Sequence, residues 1–367
     1  MHDFEDFEEE EDDFAPPLEL DESVSFEAIV EEGAMYEHFS LTAAKGQTFL
    51  RVDKYLTNLL PNVSRSKIQH AAEIGYVTVN GKVVKGSYKV KPFDKISLML
   101  PYPPPPKLAG EDIPINIFYE DEDLLIVNKI ADMVCHPSIG HHTGTLVHAL
   151  IWHFQNLPAP LMPQNVMRPG LVHRIDKGTS GLLVIAKNEA AMVGLGKQFF
   201  DHSTERLYYA IVWGDLKQEE GTITGHIGRS IRNRKLFMVY PEGDQGKRAV
   251  THYKVLERFG IATLIQCKLE TGRTHQIRVH LKHIGHTLVG DSFYGGDLPS
   301  AIPNATQKMR LFALNCLDII DRQALHAKTL GFIHPRTKEK ISFDSELPND
   351  FQLVIEKFRT WKEGHLG

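Results

Sequence analysis

The chain has 367 residues, enough for about two domains, and its 42% hydrophobic and 24% charged residues are ordinary for a soluble globular protein. It contains no apolar run near the ~18 residues that a membrane span needs, and its acidic start is unlike a signal or transit peptide. Cys135, Cys267 and Cys316 lie too far apart for a disulfide framework or a Cys-x-x-Cys zinc site, so we expect a cytoplasmic protein.

The net charge of -6 conceals an uneven distribution along the chain. Residues 1–38 contain 16 Asp or Glu and no Lys or Arg, which leaves a balance of +10 over residues 39–367. Because like charges at this density repel one another, we expect 1–38 to be a disordered acidic tail. The basic remainder suggests a polyanionic partner, although a solvated lysine-rich surface explains the charge equally well. A further hypothesis is that the tail competes with nucleic acid for this basic surface.

Two helices are predicted after the tail. Apolar residues near a 3.6-residue period predict a helix over 46–60 that ends before Pro61. A second helix is predicted over 64–74, with Ser64 as its N-cap and Gly75 as its C-terminal cap.

A small β-hairpin is predicted next. The β-branched residues on both sides of Asn80-Gly81 are typical of strands joined by a type I′ turn, and 96–100 alternates as a closing strand. Arg65 and Lys67 fall in the first turn of the second predicted helix, where backbone N–H groups also point outward. This arrangement is typical of a module that tracks a nucleic-acid backbone.

Residues 47–100 resemble an S4 RNA-binding domain. The matching landmarks are Arg51-Val-Asp-Lys-Tyr-Leu56, Ser64-Arg-Ser66 and Val79-Asn-Gly81. The resemblance implies a small α+β domain over 46–100 that binds RNA, with Arg51, Arg65 and Lys67 among the contacts.

A proline-rich linker is predicted over 101–112. The run Pro101-Tyr-Pro-Pro-Pro-Pro106 cannot join a helix or a sheet ladder, and it favours an extended polyproline II spacer. A ligand for a proline-reading domain is the alternative interpretation.

A second domain is predicted over 113–362, long enough to bury a large core. Residues 124–127, 181–186, 207–213 and 263–269 are apolar or β-branched runs that predict strands. The helical patterns between them are few and irregular, so regular βαβ alternation is absent. We therefore expect an α+β fold with a mixed, largely antiparallel sheet.

Two segments of this domain carry candidate chemistry. In 172–181, Asp176 stands between cationic residues just before an apolar strand, where its carboxylate can be fixed by the strand and face a cleft. The alternative interpretation is a structural aspartate in a turn or at an N-cap. In 270–286, Ile277, Leu281 and Ile284 form a helical stripe with Thr274 as the expected N-cap. Arg278 lies next to this stripe, and a partly buried arginine needs a carboxylate partner.

Three histidines in the second segment raise the question of a metal site. His280, His283 and His286 are spaced by three residues, which places them on shifting faces of a helix, and Gly285 ends that helix. Since no cysteine or acidic ligand is nearby, we expect no metal. The sequence also contains no phosphate loop or dinucleotide fingerprint.

The two segments together resemble the motifs of the RluA-type pseudouridine synthases. The matching runs are Val172-His-Arg-Ile-Asp-Lys-Gly-Thr-Ser-Gly181, Gly272-Arg-Thr-His-Gln-Ile-Arg-Val-His-Leu281, Tyr119–Lys129, His136-Pro-Ser138, Gly144-Thr-Leu146, Tyr208–Gly214, Gly290-Asp-x-x-Tyr-Gly295, Arg322–Ala327 and His334-Pro335. The resemblance spans 47–360 and is strongest to the ribosomal large-subunit synthase D branch. It implies a pseudouridine synthase fold and isomerisation of uridine to pseudouridine in structured RNA, without a cofactor or metal. We expect large-subunit (23S) ribosomal RNA as the substrate, with transfer RNA as the alternative that stays open, and a monomer.

The resemblance also assigns roles to residues of the expected active site. It implies that Asp176 is the catalytic aspartate and that Arg278 pairs with it, with bidentate geometry. Burial alone disfavours an ionised carboxylate, so a cation within ~4–6 Å is needed to keep Asp176 charged. Whether Asp176 attacks C1′, attacks C6 or removes a ribose proton stays open.

Base flipping is implied as well, with Tyr208 stacking on the everted uracil and Arg174 filling the vacated space in the RNA stack. Tyr208 could instead be a half-buried strand tyrosine. His173 and His275 are expected to be scaffold hydrogen-bonding residues. RNA contacts are expected from the segment 229–235, with Arg232 and Arg234, and from Arg273.

Two positions depart from the family pattern. Asn128-Lys-Ile-Ala-Asp132 replaces the usual Asn-Lys-Pro-x-Gly, which predicts an altered turn, and Arg206 replaces a lysine and keeps its charge. The rival functions are a non-catalytic RNA-binding protein, which would lack Asp176 or Arg278, and a metal-dependent RNA hydrolase, which would need carboxylate clusters.

Overall fold

The computed structural model describes residues 36–60, 65–100, 108–138, 141–155, 170–302 and 304–366. Most of the predicted acidic tail, the predicted N-cap Ser64, the Lys67 side chain and the prolines of 101–106 lie outside the described residues. The chain divides into two compact units, with the boundary between residues 108 and 109. In the described part of the chain, no helix is both long and apolar enough to cross a membrane.

The first unit packs two helices on a four-stranded antiparallel sheet with strand order β1-β4-β2-β3. Its elements are β1 (Tyr36–Thr42), α1 (Val52–Leu59), α2 (Arg65–Glu73), β2 (Val77–Val79), β3 (Lys82–Val83) and β4 (Lys95–Leu100). Asn80 and Gly81 both have positive φ, 51° and 77°, as the predicted type I′ turn requires. The core of the unit includes Val52, Leu56 and Ile96, which are fully buried.

Three boundaries differ from those predicted from the sequence. Helix α1 begins at Val52 rather than at residue 46, because Arg51 is extended and bridges to Lys89. Strand β1 was not predicted, and its first three residues lie within the expected tail. Residues 109–112, assigned to the linker, belong to the second unit, where the Glu111 N–H donates to the His148 carbonyl.

The second unit is built on a ten-stranded sheet with the path β10-β9-β11-β12-β8-β13-β7-β6-β5, and β14 pairs with β13. Its elements are β5 (Ile117–Glu120), β6 (Leu124–Lys129), α3 (Leu146–Gln155), β7 (Ser180–Ala186), α4 (Glu189–Phe200), β8 (Glu205–Trp213), β9 (Glu220–Arg229), β10 (Phe237–Tyr240), β11 (Lys247–Arg258), β12 (Ala262–Leu269), α5 (Gln276–His283), α6 (Gln307–Leu317), β13 (Leu325–Ile333), β14 (Lys340–Asp344) and α7 (Asn349–Leu366).

The predicted mixed, largely antiparallel α+β fold is confirmed. Among the described strands only β7 and β13 pair in parallel, and the four predicted apolar runs lie in β6, β7, β8 and β12. Helix α4 packs Leu195 and Phe199 against β6, β7 and β13. Helices α6 and α7 pack against β8 and β12 around Trp213 and Phe358. These two buried clusters hold the central strands that carry the candidate site.

Candidate active site

Asp176 lies in the turn that precedes β7, and side chains from distant parts of the chain fix the backbone of this turn. The Lys129 ammonium donates to the Lys177 carbonyl at 3.0 Å, and Arg322 Nη1 donates to the Gly178 carbonyl at 3.1 Å. The Thr179 N–H donates to the Asp176 carbonyl at 3.0 Å. These hydrogen bonds hold the backbone that carries Asp176. The side chain of Asp176 is 21% exposed, so its carboxylate remains accessible to a ligand.

Arg278, on α5, lies between two carboxylates and is almost fully buried. Its Nη1 donates to Asp176 Oδ2 at 2.9 Å, while its Nε and Nη2 donate to the two oxygens of Asp291 at 2.8 and 2.9 Å. The expected bidentate pairing with Asp176 is therefore wrong, because the two-nitrogen edge of the guanidinium binds Asp291. Burial opposes the charge of Arg278, but the bonds to Asp291 and Asp176 outweigh it and raise the pKa of the guanidinium.

Asp291 is the functional neighbour that the sequence did not assign. It is 1% exposed, and its Oδ1 also accepts from the Phe293 N–H at 3.2 Å. The preceding Gly290 has φ +77°, and a Cβ there would lie 2.1 Å from the Arg322 carbonyl oxygen. The signal was present in the run Gly290-Asp-x-x-Tyr-Gly295, which matched the family pattern without receiving a role.

His275 directly precedes α5 and adopts the left-handed conformation, with φ 56°. The predicted N-cap, Thr274, is therefore wrong, and His275 takes that position without making a side-chain cap. Its Nδ1 lies 2.8 Å from the hydroxyl oxygen of Tyr294, and its Nε2 lies 4.0 Å from Asp176 Oδ2. The expected scaffold hydrogen bond exists, but the ring also borders the candidate catalytic carboxylate.

Tyr208 lies on β8, in register with Cys267 of β12 and Ala327 of β13, and is 8% exposed. Burial raises the pKa of its hydroxyl, the Arg206 guanidinium lowers it, and the negative charge of Asp176 raises it further. The charges of Asp176 and of the buried Arg206 therefore both act on the Tyr208 hydroxyl.

His173 makes the hydrogen bond that we expect of a scaffold residue. Its Nε2 accepts a hydrogen bond from the Val184 N–H at 3.0 Å, and its ring stacks on Phe199 at 4.3 Å. Burial lowers the pKa of the imidazole to about 3, so the ring is neutral at physiological pH.

Asp132 and Lys129 shape the altered turn at 128–132. Asp132 stands where the family usually has glycine and adopts φ 65°, a conformation that aspartate tolerates better than most residues. The buried ammonium of Lys129 donates to the carbonyls of Ile130, Met133 and Lys177. Burial lowers the pKa of Lys129 to about 8. The sequence did not predict this lysine as a support for the Asp176 turn.

The predicted RNA-binding residues differ in exposure. Arg174, two residues from Asp176, is exposed, as are Arg232 and Arg234 in the loop between β9 and β10. Arg273 is partly buried and donates through Nε to the Arg248 carbonyl, so it is already engaged within the fold.

In the first unit, Arg51 and Arg65 both bind the buried carboxylate of Asp53. The two arginine side chains nevertheless remain 46% and 50% exposed. They are held in place and are still accessible to a polyanion.

Two of the three histidines of the second segment bind different partners within the fold. His280 contacts the Thr251 hydroxyl through Nδ1, and His286 contacts the Trp213 carbonyl through Nδ1. A separate group, Asp121, Asp123 and His334, brings three potential ligand atoms within 4.8 Å of one another.

Internal partners already occupy that separate group. His334 Nδ1 accepts from two backbone N–H groups, so its Nε2–H is the donor to Asp121, and Arg336 binds Asp123. All three side chains are therefore already engaged in hydrogen bonds or ion pairs within the fold.

Comparison with known proteins identifies the family. A family model described as RNA pseudouridylate synthase matches residues 123–283, and one described as S4 domain matches residues 50–96. An uncharacterised RNA pseudouridine synthase of Chlorobaculum parvum is 50% identical, over 88% of this chain and 98% of the relative. The chain belongs to the RNA pseudouridine synthase family.

Two further relatives carry a more specific name. The proteins called ribosomal large subunit pseudouridine synthase D in Zymomonas mobilis and Pseudomonas aeruginosa are 42% and 40% identical, over 83% and 86% of this chain and 93% and 94% of the relatives. The solved structure of human RNA pseudouridylate synthase domain containing 4 shares the fold, with a TM-score of 0.51 at 20% identity, over 66% of this chain and 93% of that one. The RluA-type synthase predicted from the motifs is thus confirmed as an enzyme that isomerises uridine in RNA.

Proposed function

We propose that Asp176 is the catalytic carboxylate of this synthase. During the reaction the N1–C1′ bond of uridine breaks, a C5–C1′ bond forms, the proton on C5 is released and N1 takes up a proton. The contact between Arg278 and Asp176 Oδ2 carries the proposal, because it supplies the cation that an ionised, partly buried carboxylate needs. Asp176 Oδ1 accepts no hydrogen bond from the described residues, which leaves an oxygen for the substrate.

The Asp291–Arg278 pair supports the same role by keeping the guanidinium in place. Two of the guanidinium nitrogens are bound to a buried carboxylate, so the third is held toward Asp176 before any RNA arrives. Donors that are already oriented stabilise charge without reorganisation during the reaction. The buried pair therefore acts as a positioning element for Asp176.

We propose that the target uridine is flipped out of the RNA stack, at a cost of a few kcal/mol, and that Arg174 fills the space it leaves. The exposure of Arg174, two residues from Asp176, supports this role. Arg174→Ala should reduce turnover more on a structured RNA than on one with an unpaired target. Equal losses on the two RNAs would contradict the role.

Tyr208 is proposed to stack on the flipped uracil. Tyr208 pairs with Ala327 of β13, which pairs in turn with Gly181, five residues after Asp176. This placement supports the role, and base–aromatic stacking contributes ~1–3 kcal/mol. Tyr208→Phe keeps the ring and should retain binding of the target, whereas Tyr208→Leu should weaken it about 5–150-fold. Competition binding with the two variants measures the difference, and equal affinities would contradict stacking.

Large-subunit ribosomal RNA is the proposed substrate, bound in part through Arg51 and Arg65 of the S4 unit. The names of the two large-subunit relatives support the target, and the S4 match supports an RNA contact outside the catalytic unit. We further propose that the enzyme acts as a cytoplasmic monomer without a metal. Chelator-insensitive turnover and a monomeric elution volume are the expected results.

Pseudouridine mapping in cells tests the substrate directly. Ribosomal and transfer RNA would be compared from cells that lack the protein, that express it, or that express Asp176→Asn. We expect positions in large-subunit RNA to lose pseudouridine without the protein and to regain it only with the wild-type chain. Loss confined to transfer RNA, or restoration by Asp176→Asn, would contradict the proposal.

A further inference from the structure

His275 has features that a purely structural histidine does not need. It is a non-glycine residue with φ 56°, a conformation that costs free energy and is often retained at functional sites. Its ring makes edge contacts with Phe237, Phe293 and Tyr294, at centroid distances of 5.5, 5.9 and 5.7 Å. The backbone and the three rings therefore fix this imidazole in one orientation beside Asp176.

The hydrogen bonds around Tyr294 determine which nitrogen of His275 carries the proton. The Tyr294 hydroxyl oxygen accepts from the Phe237 N–H at 3.2 Å, and the buried hydroxyl then needs an acceptor for its own proton. The acceptor within reach is His275 Nδ1, at 2.8 Å. In the neutral ring the proton therefore resides on Nε2. This tautomer also places a positive N–H dipole, rather than a lone pair, near the Asp176 carboxylate.

The Nε2–H of His275 has no acceptor among the described residues. Its distance to Asp176 Oδ2 is 4.0 Å, too long for a hydrogen bond. An oxygen placed about 2.8 Å from both atoms, an ordinary hydrogen-bond length, would span this gap. That oxygen must accept from the imidazole and donate to the carboxylate. A hydroxyl does both, whereas a uracil carbonyl can only accept and would face the negative carboxylate.

We propose that His275 and Asp176 together bind the ribose 2′-hydroxyl of the target uridine, with His275 Nε2–H as donor and Asp176 Oδ2 as acceptor. The inference rests on the proposed role of Asp176. Two of the three routes open to that carboxylate, attack at C1′ and removal of a ribose proton, bring it to the sugar. The 2′-hydroxyl distinguishes RNA from DNA, so this pair also makes the site selective for a ribonucleotide.

A cycle that combines protein and substrate changes tests the contact. Wild-type enzyme, His275→Asn and His275→Gln are each assayed under single turnover on RNA whose target carries uridine or 2′-deoxyuridine. For the wild type we expect the 2′-deoxy target to reduce kcat/KM about tenfold, the usual effect of removing one partner of a partly buried hydrogen bond. Asparagine tolerates the left-handed backbone but does not reach the Nε2 position. For His275→Asn, the kcat/KM values on the uridine and 2′-deoxyuridine targets should therefore differ by less than about twofold.

The glutamine variant separates the hydrogen bond from a structural effect. Its side-chain amide can place an N–H close to the Nε2 position, so His275→Gln should recover part of the discrimination that His275→Asn loses. Equal 2′-deoxy effects in the wild type and in His275→Asn would overturn the inference, including the case in which only a water occupies the gap. If Asp176→Asn were active on uridine RNA, the proposed function would fail instead, whatever the His275 cycle shows.

Discussion

The different environments of two aspartates around Arg278 distinguish their roles. Asp291 is 1% exposed and uses both oxygens on the guanidinium, so its charge is fully committed within the fold. Asp176 is 21% exposed and receives one guanidinium nitrogen. Because a catalytic carboxylate needs an accessible lone pair, Asp176 is the member of the pair that is suited to react.

Arg278→Lys tests whether this geometry, rather than charge alone, supports turnover. An ammonium cannot bind Asp291 through two parallel hydrogen bonds and also reach Asp176. We expect kcat to fall about 100-fold, as for a misplaced catalytic group, with RNA affinity nearly unchanged. Single-turnover kinetics and filter binding measure the two quantities. A kcat close to that of the wild type would show that any nearby cation is sufficient.

The neutral, half-buried His173 predicts a dependence of stability on pH. Its pKa is about 3 in the folded protein against 6.5 for an unperturbed imidazole, so the unfolded chain binds more protons between these values. The contribution of His173 is therefore complete above about pH 6.5 and is lost as the pH falls toward about 3.

His173→Gln provides the matched comparison, since the glutamine oxygen can still accept from the Val184 N–H and does not titrate. We expect the unfolding free energy of the wild type to fall relative to this variant by up to about 1.4 kcal/mol per pH unit below pH 6. Urea unfolding at pH 7, 6, 5 and 4 measures the difference. Parallel pH profiles would contradict a neutral His173.

At the level of single residues, the motifs predicted Asp176 and Arg278 because each motif lies within one short run of sequence. The roles of Asp291, His275 and Lys129 could not be derived in the same way. Each depends on contacts between segments that are distant in the chain or, for His275, on a backbone conformation that spacing does not reveal. The predicted bidentate pairing of Arg278 with Asp176, instead of with Asp291, was wrong for the same reason.

At the scale of elements, the parallel pairing of β7 and β13 places Asp176. His326 and Ala327 of β13 pair with Ser180 and Gly181 at the start of β7, four residues after the aspartate. Gly181 has φ +117°, and a Cβ there would lie 2.3 Å from the Ala327 carbonyl oxygen. The close approach of these two strands therefore requires glycine.

Gly181→Ala should separate the two strands and destabilise the protein by roughly 3 kcal/mol, since the new methyl group meets backbone atoms and the φ is strained. Gly196 of α4 is the matched control. Nothing lies within 4 Å of its Cβ position, so Gly196→Ala should stabilise the helix by about 0.5–1 kcal/mol. Urea unfolding of both variants measures the effects, and similar stabilities would contradict this role of Gly181.

The predicted elements were most accurate where burial was continuous. The apolar runs in β6 and β7 are buried along nearly their whole length, so composition alone identified them. Strand β1 was missed because it is only half-buried and follows an acidic segment. The start of α1 was placed too early because Leu50 continues the helical apolar spacing, although it precedes the extended Arg51.

At the scale of the whole molecule, each unit presents cations to a polyanion. In the first unit Asp53 is fully buried and binds Arg51, Arg65 and Gln69. One carboxylate therefore holds two exposed guanidinium groups close together, which leaves a local excess of positive charge. This arrangement suits contact with phosphates, whose neutralisation releases counterions.

Arg65→Ala should weaken RNA binding similarly for all RNAs and reduce the slope of log K against log salt by about 1, because one phosphate contact is lost. The kcat at saturating RNA should not change. Lys362→Ala, at an exposed position of α7, is the control that should leave the slope unaltered. A salt slope equal to that of the wild type would contradict a phosphate contact by Arg65.

The catalytic role of Asp176 is tested most directly by single-turnover tritium release from RNA that carries tritium at C5 of the target uridine. Asp176→Asn keeps the shape of the side chain and removes its charge. We expect this variant to bind the RNA as tightly as the wild type and to release no tritium above the enzyme-free background. Release at a rate near that of the wild type would contradict the assignment of Asp176 as the catalytic group.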